Sequence, residues 1–175
     1  MIQTLRAIFF ICFASLTISS YGQELDTANS FVKFTIFKMG EYEVNGTIKN
    51  MSGTLSWEDS TPRFIDLCID PKTVDTDHAY RDKVLQNEDY FHTATYPSIC
   101  FKSDSIFKVD GKLMALGELT MLGVTKQESF ELAPFTNLLV ASTTINREDY
   151  GLGGETMFKL SEEVILEVHC ILKTE

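Results

Sequence analysis

From residue 32 onward the chain alternates apolar and polar side chains with a period of two, and this constrains its fold more than any other feature. Val32, Phe34 and Ile36 alternate with Lys33 and Thr35, and Leu55 and Trp57 with Thr54 and Ser56. Leu67 and Ile69 alternate with Asp66, Cys68 and Asp70, and Ile99 and Phe101 with Cys100 and Lys102. Side chains two apart share one face of a strand, so each run reads as a half-buried β-strand. Residues 113–119, 130–132, 138–145 and 164–172 add four more β-rich runs. Turn formers separate the runs: Asn45-Gly46, residues 50–53, residues 59–62, Asp110-Gly111 and residues 151–154. Asp-Gly between two strand patterns is a hairpin signal. Short, evenly spaced strands with such turns predict an antiparallel sandwich or barrel. One polar stretch, residues 75–90, breaks the pattern and predicts a short helix capped by Thr76 or Asp77.

The N-terminus reads as an address. Arg6 precedes a twelve-residue apolar run at positions 7–18, and Ser19, Ser20 and Gly22 follow. A charged start, an apolar stretch and small residues in that order make a secretory signal peptide. The run is too short for a bilayer core, which needs about 20 residues. Cleavage after Gly22 is expected, leaving residues 23–175 as a single periplasmic or secreted domain. Cys12 lies inside the apolar run, which does not suit lipid attachment at the cleavage site. Cys68, Cys100 and Cys170 remain beyond it. In an oxidising compartment three cysteines permit one disulfide at most, and the spacing does not choose the pair.

Chemistry-bearing motifs are missing. His78, His92 and His169 form no H-x-x-x-H pair, and no nucleophile elbow, dinucleotide fingerprint or phosphate loop occurs. His78 and Asp82 stand four residues apart on the expected helix, where a solvated face is the simpler reading. We therefore expect no enzyme, no metal and no cofactor. The formal charge of −10 argues against nucleic acid and against anionic membrane surfaces as partners. Thirteen Phe, six Met and Trp57 give abundant apolar strand surface. It serves either a filled core or a barrel that holds an apolar ligand, and periodicity does not separate the two.

Three strings carry a family resemblance: residues 74–103, including Tyr80-Arg81-Asp82 and Tyr96-Pro97; Gly117 to Lys126; and Asn146 to Leu152. In order and spacing the chain from about Gln23 onward resembles the YceI-like family of periplasmic lipid-binding proteins. The resemblance implies an all-β, extended antiparallel eight-stranded lipocalin-like barrel with one short helix. It implies binding, and carriage or storage, of a long apolar lipid such as a polyisoprenoid, an isoprenoid quinone or a fatty-acid-like chain. It also implies a homodimer and no catalysis. The alternative is a structural or stress-protective secreted β-protein with a filled core. Within this frame Arg81 and Asp82 read as an ion-paired tie between helix and barrel, and Gly117, Gly123 and Gly151 as turn or bulge positions.

Strand parity then nominates the ligand-contacting side chains. Leu55 and Trp57 share a face opposite Thr54, Ser56 and Glu58, so they are expected inside the barrel. Phe34 and Ile36, Leu67 and Ile69, Ile99 and Phe101, and Leu119 and Met121 follow by the same rule. Together they are expected to line a cavity of about 300–1,000 Å³, the usual size for a small-ligand site.

Overall fold

The computed structural model describes residues 24–58, 61–153 and 160–173. The expected signal peptide lies outside these residues, as do parts of the turns expected at 59–62 and 151–154. The described chain is one antiparallel sheet curled into a half-barrel. Its strands are β1 (Phe31–Lys38), β2 (Tyr42–Ile48), β3 (Ser52–Glu58), β4 (Thr61–Ile69), β5 (Ile99–Val109), β6 (Lys112–Met121), β7 (Val124–Pro134), β8 (Leu138–Asn146) and β9 (Leu160–Ile171). The spatial order is β2-β1-β9-β8-β7-β6-β5-β4-β3, so β2 and β3, adjacent in sequence, stand at opposite edges.

Nine strands form among the described residues, where the family resemblance implies eight. The strand that alternation misses is β2. Asn45-Gly46 is not a turn but lies inside β2, with Asn45 opposite Thr35 and Gly46 opposite Phe34. Thr35 Oγ1 donates to Asn45 Oδ1 at 2.6 Å, and Asn45 Nδ2 donates to Glu43 Oε1 at 2.7 Å. The true reversal lies at Met39 and Gly40, both at positive φ. Gly46 serves a neighbour instead: a Cβ there would fall 2.2 Å from Phe34 Cζ, so glycine makes room for that ring. By contrast, Asp110-Gly111 does turn the β5–β6 hairpin, at φ 49° and 80°, as a primed turn requires.

Residues 70–98 leave the sheet between β4 and β5. They carry a 3-10 turn (Pro71–Thr73) and the single helix of the described chain, α1 (Ala79–Leu85). The segment is tied back to β2 by paired backbone hydrogen bonds between Thr47 and Asp75, at 2.8 and 2.9 Å. The cap of α1 is His78, not Thr76 or Asp77; its Nδ1 accepts from the Arg81 amide at 3.2 Å. Thr76 is occupied otherwise. Its hydroxyl donates to Asp82 Oδ1 and accepts from Arg81 Nε at 2.7 Å, while its carbonyl accepts from Arg81 Nη2 at 2.6 Å. Arg81 and Asp82 thus meet on a buried threonine rather than on each other.

Antiparallel register also selects the cysteine pair. Cys68 of β4 stands directly opposite Cys100 of β5, and the two form a disulfide. Cys170 is a buried free thiol, and burial pushes its pKa up to about 12. It therefore stays protonated at neutral pH and behaves as a small apolar side chain.

Candidate functional site

The barrel interior is not uniform along its length. At one end a cluster including Met51, Leu55, Ile65, Leu113, Phe130 and Leu139 is closely filled. A narrow void of about 80 Å³ lies there. At the other end, side chains of β1, β8 and β9 face the segment 70–98 across a chamber of about 480 Å³. That volume falls within the about 300–1,000 Å³ typical of small-ligand sites. The two spaces meet at five shared wall residues, Val32, Ile69, Ile99, Leu119 and Leu166.

The parity rule places the nominated residues inside the sheet but divides them between the two ends. Phe34, Ile36, Ile69, Ile99, Leu119 and Met121 line the large chamber. Phe34, Ile36, Ile69 and Ile99 point inward yet stay only half-buried, because the chamber beside them holds no protein atoms. Leu67 and Phe101 border the narrow void. Leu55 and Trp57 border neither space. Leu55 is buried in the filled cluster and Trp57 packs against it, its indole Nε1 buried without a hydrogen-bond partner. A register shift between Ser56 and Trp57 accompanies this placement.

Several wall residues escape the parity argument. Val164 and Leu166 of β9 and Ile145 of β8 belong to β-rich runs, and their spacing was the available signal. Val84, Leu85 and Phe91 come from the polar-looking segment 75–90 and its C-terminal neighbour, which folds over the chamber as a roof. No alternation marks them, because a short helix and irregular backbone present their apolar side chains at other spacings.

Apart from Lys38 of β1, the polar wall residues among those described gather at the roof and the turn beside it. Thr76, His78, Tyr80 and Arg81 come from the roof segment, and Arg147 from the 3-10 turn after β8. Arg147 is 5% exposed. Its Nε donates to Ser161 O at 2.9 Å, its Nη1 to Leu152 O at 2.8 Å and its Nη2 to Glu148 Oε1 at 3.0 Å. Its turn meets the roof directly: Gly153 N donates to Asp89 O at 2.9 Å, and Tyr90 packs on Gly153. Nearby, Tyr150 is fully buried and donates to Glu128 Oε1 at 2.8 Å. Desolvation, then this hydrogen bond to a carboxylate, hold its phenol pKa far above the usual value.

Among the described residues no group of three His, Cys, Asp or Glu side chains is placed to hold a metal ion. His78 and Asp82 serve local structure, as cap and as acceptor for Thr76. The arrangement offers a long apolar enclosure with a donor-rich end.

The YceI-like domain family matches residues 23–172. Protein YceI of Escherichia coli O157:H7 is 33% identical over 135 residues, covering 72% of this chain and 71% of that protein. Protein YceI of Salmonella arizonae is 32% identical over 130 residues, covering 73% and 68%. Among solved structures, Burkholderia cenocepacia BcnA superposes with a TM-score of 0.74 at 21% identity, covering 86% of this chain and all of that one. A polyisoprenoid binding domain from Saccharophagus degradans superposes with a TM-score of 0.65 at 19% identity, covering 86% and 97%.

Proposed function

The chain belongs to the YceI-like domain family, and from that premise we propose that it binds one long apolar lipid, of polyisoprenoid or similar kind, in the roofed chamber. The observation that carries the reading is the chamber itself: about 480 Å³ of space walled mainly by aliphatic and aromatic side chains. A well-packed domain leaves few voids larger than a water molecule, so a space of this size supports the reading of a ligand chamber. The narrow void beyond Leu119 continues the same apolar path and suits the tail of a chain. The Saccharophagus degradans neighbour, a polyisoprenoid binding domain, supports the same ligand class. Carriage or storage of the lipid fits the mainly aliphatic and aromatic wall formed by the described residues. We further propose that the domain works in the periplasm or outside the cell, after removal of residues 1–22. The Cys68–Cys100 disulfide supports that compartment, since such bonds persist where conditions are oxidising.

The test is organic extraction of the purified protein followed by mass spectrometry, then reloading of the delipidated protein with a polyprenol. One long-chain lipid per barrel is expected, together with saturable reloading. Ile36→Trp, which puts a larger ring into the chamber, is expected to block reloading and leave the melting temperature within a few degrees. A protein that is repeatedly empty and refuses polyprenol would return the chain to the filled, structural alternative. Trp57 emission is a poor reporter here, because the indole packs at the filled end.

A further inference from the structure

The chain carries 25 acidic and 15 basic side chains, yet its chamber inverts that balance. Among the described residues the wall includes Lys38, Arg81 and Arg147, with His78 beside them, and no Asp or Glu. Arg81 belongs to the roof and Arg147 to the turn bonded to it, with His78 beside Arg81, so the two guanidinium groups share one end of the chamber.

The hydrogen bonding of Arg81, Arg147 and His78 is incomplete in a specific sense. A guanidinium has five N–H donors in a planar fork. Arg81 uses Nε and one Nη2 donor on Thr76, and among the described residues no hydrogen bond or ion pair joins it to a carboxylate. Asp82 stands one hydroxyl away, its Oδ1 committed to the Thr76 amide and hydroxyl at 3.0 and 2.5 Å. Arg147 gives two donors to backbone carbonyls and one to Glu148, whose side chain is half-exposed. His78 accepts through Nδ1, which in a neutral ring leaves Nε2 as a further donor. Arg147 is buried and Arg81 half-buried, and a guanidinium withdrawn from water is costly unless an acceptor pairs with it.

We propose, resting on the lipid-binding reading above, that the occupant carries an anionic head, a phosphate or a carboxylate, held at the roof by Arg81 and Arg147 with His78 donating. The apolar tail then runs from the roof toward Leu119 and the narrow void. A planar guanidinium fork matches both oxyanions, which the neutral alcohol of the same chain does not supply.

The experiment uses three probes with one tail: geranylgeraniol, geranylgeranyl monophosphate and geranylgeranoic acid. Delipidated protein receives equimolar pairs of probes, and native mass spectrometry reads which one is retained. The phosphate, the acid or both are expected to outcompete the alcohol at least tenfold, and the better of the two identifies the head. Arg81→Gln is expected to reduce that preference to threefold or less. Arg81→Lys is expected to keep most of it. Alcohol and anions loading equally would overturn the head-group proposal and leave lipid binding standing. Failure of all three probes to load would overturn lipid binding itself. Wild-type selectivity decides the matter even if Arg81→Gln does not fold.

Discussion

Removing the Cys68–Cys100 bond should destabilise the protein by an amount that follows from chain length. The bond closes a loop of 32 residues. Treating the cross-link as a constraint on the unfolded chain, the entropy lost is about 2.1 plus 1.5R ln n cal/mol/K, which for this loop is worth about 3.7 kcal/mol at 25 °C. The two side chains are partly exposed on strand positions that alternate with the inward Leu67, Ile69, Ile99 and Phe101. Little packing is therefore lost with the sulfurs, and the loop term dominates. For a domain of this size each kcal/mol moves the melting temperature by about 2–4 °C, so Cys68→Ala/Cys100→Ala should melt about 7–15 °C below the oxidised wild type. Wild type reduced with a phosphine should melt close to the double variant. The loop also contains the whole roof, so amide exchange in residues 76–92 should quicken more than exchange in β7 and β8. A double variant melting within 1–2 °C of oxidised wild type would refute the reasoning.

Thr76→Val removes the hydroxyl that joins Arg81 to Asp82; leaving those groups half-satisfied should cost about 1–3 kcal/mol in urea unfolding and speed exchange across α1. Gly117→Ala would place a Cβ 2.1 Å from the Lys102 carbonyl oxygen on the neighbouring strand, and overpacking of this kind should cost about 1–3 kcal/mol, read by chemical denaturation. Tyr150 has a raised folded pKa, so its contribution is complete below the unfolded value of about 10 and is lost as pH climbs toward the folded value. Ultraviolet titration should show one tyrosine that ionises only with alkaline unfolding, and Tyr150→Phe should abolish that late step.

Much of this architecture is local and therefore legible in the chain alone. Eight of the nine strands announce themselves by alternation, because a pleated strand sends successive side chains to opposite faces whatever it pairs with. Asp110-Gly111 is equally local, since its two residues take the positive φ values of a primed turn. The remainder depended on neighbours. Asn45-Gly46 has turn chemistry, yet pairing with β1 draws it into a strand, where its missing Cβ admits the Phe34 ring. Three cysteines offered three pairings, and only the register of β4 against β5 set Cys68 opposite Cys100. The arginines of the roof and of the turn after β8 read as scaffold, because nothing local says that two segments some sixty residues apart converge on one chamber. Parity, finally, tells inside from outside but not how far along the barrel a residue sits. Leu55 and Trp57 obey the same rule as Phe34 and Ile36 and still pack at the filled end. That depth is set by how the strands are staggered and by what covers each end, and both arise only when the sheet curls and the 70–98 segment folds across it.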